Sequence, residues 1–214
     1  MSALAGMTRA ALAERTVAVL HRGSGRSPDV FLVDLGGQRV VVKDFAPRPR
    51  WLAATWGRFL VSREVSAYRA LAGLDCVPRL LGRVDGLALT LEYRPGRRMS
   101  RKLAGALAPG FPARLEAAVR AMHARGVVHL DLRHRSNVLV DERGEPVLID
   151  FASAVRLAPR SWLGRALLPW LTRIDRRAVA KWRQRLEPAG GGASDAAAVA
   201  GPASDARRGA SRPT

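Results

Sequence analysis

The chain has 214 residues, 48% of them hydrophobic, which is enough for one domain with a substantial core. Its single cysteine, Cys76, excludes an internal disulfide bond and lies in an apolar stretch, so we expect a buried, unreactive thiol in a reducing compartment. The formal net charge of +18 would suit binding to nucleic acid, an anionic membrane or a phosphorylated substrate. However, all except three of the 36 basic residues are arginines, and such a bias can follow from coding composition. The charge alone is therefore weak evidence for a partner.

Residues 1–15 are predicted to form a leader with a short helix from Thr8 to Glu14, for which Thr8 is the candidate N-cap. The leader carries Arg9, Glu14 and Arg15 and has no long apolar run, so no signal peptide is expected. No later stretch approaches the roughly 18 uninterrupted apolar residues that a transmembrane helix needs. We therefore expect a cytoplasmic protein.

A series of short apolar runs, separated by turn residues, follows the leader and predicts a mostly antiparallel sheet. Gly36-Gly37 is predicted to form a tight hairpin turn between the second and third runs. The five predicted strands are Thr16–Leu20, Val30–Leu35, Arg39–Phe45, Val77–Gly82 and Leu87–Tyr93.

The connection between the first two strands is rich in glycine, with Gly23 and Gly25 followed by Val30 at the start of a strand. Glycine lets backbone amides approach phosphate oxygens closely, although an ordinary hairpin loop has the same composition. The third strand carries Lys43 directly after the apolar run Val40–Val42, and such a lysine either faces water at an edge or holds an anion.

Two helical segments are predicted between the third and fourth strands, Trp51–Leu60 and Ser62–Leu71, with Ser62 as the N-cap of the second. This places Glu64 in a first helical turn. There it would either favour the helix dipole or pair with Lys43, and the sequence leaves both alternatives open.

The most informative stretch runs from residue 122 to residue 151. The runs Val138–Val140 and Val147–Ile149 flank a polar turn and predict a β-hairpin. Its geometry would bring Asn137 and Asp150 together, and an amide oxygen beside a carboxylate makes a hard oxygen site suited to Mg²⁺. Asp131 lies just before this site and is placed to meet a hydroxyl nucleophile.

This stretch resembles the catalytic loop and metal-binding motif of the protein-kinase-like superfamily, H-R-D-x-x-x-x-N followed by D-F-G. The corresponding residues here are His129-Leu130-Asp131, Asn137 and Asp150-Phe151-Ala152, and Val40–Lys43 is similar to the V-A-I-K of the family's third strand. The resemblance implies an α+β, bilobal fold. The N-lobe would cover about residues 16–93 and hold the five strands, and a truncated, mainly helical C-lobe would cover about residues 97–186.

The same resemblance implies ATP and Mg²⁺ as cofactors and assigns roles to the candidate residues. Asp131 would be catalytic, and Asn137 and Asp150 would hold Mg²⁺. The nucleotide-binding residues would be Gly23, Gly25, Val30, Lys43 and Glu64.

Two departures from the motif bear on these roles. Five residues separate Asp131 from Asn137 where the family has four, so Ser136 is the alternative metal ligand. We prefer Asn137 because it directly precedes the strand. The third residue of the second motif is Ala152 instead of glycine, which weakens the case for a mobile activation loop.

The second half of the chain is predicted to be helical around the catalytic stretch. A short helix is expected at Leu103–Leu107 and a longer one at Phe111–Arg125, ended by Gly126. The segment Trp162–Leu186 is predicted to form a pair of helices separated at Pro169. It is rich in Trp, Leu and Arg, so it would pack on the core, lie in a membrane interface, or do both. Residues 187–214 are predicted to be disordered.

Within the resemblance, the compact second lobe and the lack of an A-P-E motif argue against a typical eukaryotic-like kinase. The chain is more similar to RIO-type kinases or to the bacterial kinases of lipopolysaccharide-core sugars. The expected function is transfer of the γ-phosphoryl group of ATP to a hydroxyl acceptor, either a protein Ser/Thr or a core sugar. The alternative is a nucleotide-binding pseudokinase or basic scaffold. Nucleic acid is not an expected partner, because no basic motif interleaved with aromatic residues is present.

Overall fold

A computed structural model of the protein describes residues 8–186. The helices are α1 (Arg9–Glu14), α2 (Arg50–Leu52), α3 (Arg58–Ala70), α4 (Phe111–Ala124) and α5 (Trp162–Leu186). The strands are β1 (Thr16–His21), β2 (Asp29–Asp34), β3 (Arg39–Asp44), β4 (Leu80–Arg83), β5 (Ala88–Glu92), β6 (Gly96–Arg98), β7 (Val127–Val128), β8 (Val138–Asp141), β9 (Pro146–Leu148) and β10 (Val155–Arg156). The disordered tail predicted for residues 187–214 lies outside the described residues.

The first half of the fold is the predicted five-stranded antiparallel sheet. Its strands lie in the order β1-β2-β3-β5-β4. Side chains alternate across this sheet. Val40 and Val42 pack with Leu12 of α1 on one face, whereas Val41 and Lys43 face the α3 side. The short helix of the leader is therefore part of the core of the sheet, and Thr8 caps it as predicted, accepting a hydrogen bond from the backbone N–H of Ala11.

The helical segment before β4 differs from the prediction. Residues 50–70 form one continuous segment in which a π-helical turn, Ala53–Gly57, joins α2 to α3. The prediction of Ser62 as an N-cap was therefore wrong, because the helix continues through this residue without a break. Gly57 allows the segment to pass close to Phe45, since a Cβ at residue 57 would lie 2.9 Å from the Cβ of Phe45.

The second half combines α4 and α5 with a three-stranded sheet of order β6-β8-β9. The predicted hairpin is present as β8 and β9, with Val138 opposite Leu148. Gly96 begins β6 and approaches β8 so closely that a Cβ there would lie 2.8 Å from the carbonyl oxygen of Val140. Gly126 ends α4 with a left-handed backbone (φ 73°), as predicted.

The predicted helix pair at the end is a single helix, because α5 continues through Pro169. The proline removes only one N–H donor from a helix of 25 residues, and packing of the second half of α5 on the core maintains the rest. One hydrophobic cluster extends from Val61 and Val65 of α3, through Leu115 and Val119 of α4, to Trp182 of α5. Both halves of the fold therefore share a core.

Cys76 is half-buried, whereas the sequence predicts a buried thiol, and its burial raises the pKa of the thiol above the ordinary value. None of the helices in residues 8–186 combines the length and the apolar character needed to cross a membrane.

Candidate functional site

Three ionisable residues from distant parts of the chain meet between the large sheet and the second half of the fold. The Nζ atom of Lys43 on β3 lies 2.7 Å from a carboxylate oxygen of Glu64 on α3 and 2.7 Å from one of Asp150 after β9. Asp150 adopts a left-handed backbone (φ 66°), which turns the chain after β9. The structure thus joins three of the residues that the sequence singles out.

Glu64 contacts Lys43 because it is the seventh residue of α3, on the face that packs against the sheet. Glu64 therefore lies beyond the first turn of α3, and it is almost completely buried (1% exposed). The alternative in which it favours the helix dipole from a first turn is wrong. A buried carboxylate is tolerated only when it is paired, and Lys43 supplies the partner.

The charges in this cluster are distributed unequally. Burial lowers the pKa of Lys43, but the carboxylates of Asp150 and Glu64 outweigh it and hold that pKa above its ordinary value. The attraction of Lys43 lowers the pKa of Asp150, whereas desolvation raises the pKa of Glu64 and Lys43 offsets this only in part. At neutral pH the cluster therefore holds a protonated lysine facing an ionised Asp150, whose side chain is 47% exposed.

The glycine-containing loop between β1 and β2 adjoins this cluster through Val30, which lies directly opposite Lys43 in the β2–β3 register. Gly25 has a left-handed backbone (φ 56°). At Gly23 a Cβ would lie 2.3 Å from the carbonyl oxygen of Ser27, so the loop folds back on itself too tightly for a side chain.

The buried Asp29 fixes this loop, a role that the sequence analysis missed. Its carboxylate accepts hydrogen bonds from the backbone N–H of Gly23 at 2.9 Å and from the guanidinium groups of Arg22 and Arg48. Arg48 also donates to the carbonyl oxygen of Gly23. An acid at the start of the strand could have signalled this anchor between loop and strand, but its arginine partners are visible only in the fold.

The segment after β7 holds the second group of candidate residues. The amide Nδ2 of Asn137 donates to the backbone carbonyl of Asp131 and to its carboxylate, both at 3.0 Å, and the other carboxylate oxygen contacts Nδ1 of His134. Asn137 is buried, whereas Ser136 is exposed and donates its hydroxyl hydrogen bond to the Asn137 amide oxygen. A one-residue-longer loop is therefore accommodated with Asn137 facing Asp131.

The two groups of residues are joined through the hairpin. The backbone carbonyl of Asn137 accepts a hydrogen bond from the N–H of Ile149 at 3.0 Å, which places Asn137 beside the residue that precedes Asp150. The side chain of His129 makes a second link between these two groups. Its Nε2 donates a hydrogen bond to the carbonyl of Ile149, and the centroid of its ring lies 4.8 Å from that of Phe151.

A second residue that the sequence analysis missed, Asp175 on α5, organises this segment. It is completely buried, and its carboxylate accepts hydrogen bonds from the backbone N–H groups of His129 (2.8 Å) and Leu130 (2.9 Å) and contacts Nε2 of His123 (3.0 Å). Leu130 has a left-handed backbone (φ 66°), which is unusual for a branched residue and needs such support. An acid within an arginine-rich helix gave no sequence signal for this contact.

The donor set for a metal ion at this site is small. Within residues 8–186, no group of three or more His, Cys, Asp or Glu residues could hold a metal ion. Asp150 and the amide oxygen of Asn137 would offer one carboxylate and one neutral oxygen. Mg²⁺ commonly binds one or two protein oxygens and completes its shell with water and phosphate oxygens, so these two residues fit Mg²⁺ in the presence of a nucleotide.

No family model matches the chain. The chain is similar to part of Citron Rho-interacting kinase of Mus musculus, with 34% identity over 80 residues that cover 34% of this chain and 4% of the mouse protein. It is also similar to part of the Probable SapB synthase of Streptomyces coelicolor, with 34% identity over 144 residues that cover 55% of this chain and 15% of that protein. The chain thus spans only a small fraction of either relative, and the similarity to a kinase is partial.

Proposed function

We propose that the protein is an ATP-dependent phosphotransferase with a bilobal, protein-kinase-like fold, and that it moves the γ-phosphoryl group to a hydroxyl acceptor. The observation that carries the proposal is the pairing of Lys43 with both Glu64 and Asp150, since these residues are separated by 21 and 107 positions in the chain. The resemblance of the motifs to those of the superfamily assigns them complementary roles toward one nucleotide.

In this proposal Lys43 and the glycine-containing loop hold the phosphates of ATP. Lys43 remains protonated because two carboxylates surround it, and Glu64 fixes its position from the helix side. Asp150 keeps its negative charge because the neighbouring Lys43 lowers its pKa, so it is available to a cation that accompanies the phosphates. Mg²⁺ bound there by Asp150 and Asn137 would neutralise charge on the phosphate oxygens.

Asp131 would act on the acceptor. Its carboxylate is held on one side by Asn137 and on the other by His134, and its side chain is 25% exposed, so a hydroxyl group can reach it. As the acceptor oxygen attacks the γ-phosphorus in line, the bond from phosphorus to the ADP oxygen breaks and the hydroxyl proton passes to Asp131. Positioning and charge neutralisation supply most of the rate enhancement in such a transfer.

Two further observations bear on the proposal. The mouse relative is named a kinase, which favours phosphoryl transfer, whereas the other relative is named a synthase. The acceptor would be a protein Ser/Thr or a lipopolysaccharide-core sugar, met in the cytoplasm. The second candidate is a nucleotide-binding pseudokinase or basic scaffold, which the longer catalytic loop and the glycine-containing loop, with only Gly23 and Gly25, favour.

The experiment measures Mg·ATP binding by calorimetry and transfer from γ-labelled ATP to a panel of proteins, core sugars and small alcohols. Lys43→Ala and Asp150→Ala are expected to weaken binding, whereas the exposed Lys102→Ala serves as the matched control. Asp131→Asn is expected to retain binding and to lose turnover by about 10²–10⁴-fold, the range typical of general-base catalysis.

The outcomes separate the two candidates. Wild-type binding without turnover on any acceptor, or equal turnover by wild type and Asp131→Asn, would favour the pseudokinase. Wild-type affinity for Mg·ATP in both Lys43→Ala and Asp150→Ala would place the nucleotide elsewhere and overturn the proposal.

A further inference from the structure

One face of α5 carries large apolar side chains that remain exposed. Leu163, Leu167, Trp170 and Ile174 recur at intervals of four, three and four residues, so they lie along one side of the helix. They are 41%, 43%, 65% and 44% exposed, and the neighbouring Trp162 is 72% exposed. We call Trp162, Leu163, Leu167, Trp170 and Ile174 the apolar stripe. Exposing five such side chains together is unfavourable in water, which indicates a surface that binds something.

Another side of the same helix is anchored to the protein. Asp175 holds the backbone of the segment after β7, and the indole N–H of Trp182 donates to the carbonyl of Leu132 at 3.1 Å. In contrast, Gly164 is the only buried residue from Trp162 to Leu171. The first turns of α5 therefore present the apolar stripe outward, while the later turns fix the helix against the segment after β7.

The exposed charged residues of α5 are all basic. The only acidic residue from Trp162 to Leu186 is the buried Asp175. Arg177 and Lys181 continue the spacing of the apolar stripe, so the same side of the helix passes from apolar to cationic. The exposed basic residues of the helix are Arg165, Arg173, Arg176, Arg177, Lys181, Arg183 and Arg185.

We propose that the apolar stripe and its basic flank dock the protein on an anionic lipid surface, with α5 lying in the plane of the interface. Trp and Leu side chains on one face, bordered by arginines and lysines, are the composition of helices that insert shallowly at the level of the lipid headgroups. Trp side chains favour that level because they are apolar with one hydrogen-bond donor. The arginines then meet the phosphates of anionic lipids.

Other occupants fit the surface less well. A second copy of the chain would bring together two basic flanks that carry no exposed acidic residue, which is unfavourable. An acidic protein that wraps around a basic amphipathic helix would need access to its whole circumference, and here one side is held by Asp175 and Trp182. Residues 187–214 contain only one large aliphatic or aromatic residue, Val199, so they offer little to cover two tryptophans.

The test is co-sedimentation of the full chain with vesicles of phosphatidylcholine alone and with vesicles in which a third of the lipid is phosphatidylglycerol. The wild type is expected to bind the anionic vesicles and to be released by high salt. Trp162→Ser combined with Trp170→Ser should lower the binding by about tenfold or more. Trp51→Ser is the matched control, because Trp51 is similarly exposed (71%) on α2 and should leave binding unchanged.

Several outcomes would overturn the proposal. These are no binding of the wild type to anionic vesicles, equal losses in the double variant and in Trp51→Ser, or equal binding to polyglutamate and to vesicles. A concentration-dependent dimer that the double variant abolishes would assign the stripe to a second copy. Thermal unfolding and Mg·ATP affinity should match wild type in the double variant, so a failure of vesicle binding is distinguishable from a failure of the proposed function.

Discussion

Replacing Asp175 by Asn tests whether this buried carboxylate holds the segment after β7 in place. The substitution keeps the size and shape of the side chain but exchanges one acceptor oxygen for an NH₂ group. Asp175 uses both oxygens: one accepts from the N–H of Leu130, and the other accepts from the N–H of His129 and contacts His123. In either orientation of the amide, at least one buried N–H of the segment therefore faces a donor.

The expected magnitude follows from these contacts. An unsatisfied buried N–H costs about 1–3 kcal/mol, and the remaining bonds lose the extra strength that a charged acceptor gives them. Since Asp175 has no exposed surface, water cannot replace the lost partner. We expect Asp175→Asn to lower the free energy of unfolding by about 2–4 kcal/mol, a large part of the roughly 5–15 kcal/mol typical of a domain.

The assay is urea unfolding of both proteins, followed by amide hydrogen exchange of His129 and Leu130. Exchange at these two amides should accelerate by more than the loss in global stability accounts for. Asp34→Asn is the control, because Asp34 accepts a single hydrogen bond from Gly37 in an exposed turn, where Asn is well tolerated. A loss below about 0.5 kcal/mol in Asp175→Asn, or the same loss in the control, would refute the reasoning.

Two further predictions concern the residues near Asp131 and Lys43. Asn137→Ala should abolish phosphoryl transfer, while Ser136→Ala retains most of it, because Asn137 is buried against Asp131 and Ser136 is exposed; the reverse result in a transfer assay would shift the metal ligand to Ser136. Asp150→Asn should be less stable than wild type at neutral pH. Because Lys43 lowers the pKa of Asp150 in the folded state, this carboxylate stabilises the fold above about pH 4 and loses the effect as the pH falls toward its lowered pKa, so the stability gap should narrow on acidification. Urea unfolding across that pH range checks the sign, and a gap that widens would contradict it.

The sequence by itself determined most of the local structure. Apolar runs separated by glycine-containing turns predicted the five-stranded antiparallel sheet and the hairpin of β8 and β9. Gly126 predicted the end of α4, since a left-handed residue there favours glycine. These features depend on short-range preferences and periodicity, which the chain encodes within a few residues. The motifs that resemble those of kinases likewise predicted residues whose side chains carry complementary charges or hydrogen-bonding groups.

Tertiary contacts decided the rest. The sequence left Glu64 with two alternatives, and only the packing of α3 on the sheet brought it to Lys43. It predicted a break at Ser62 and another at Pro169, but in both places packing along a continuous helix outweighed the local signal. Asp175 contacts backbone amides 45 and 46 residues earlier in the chain, and no local pattern records a partner that distant. The same packing, which holds one face of α5 against the segment after β7, determined that its Trp- and Leu-rich face remains exposed.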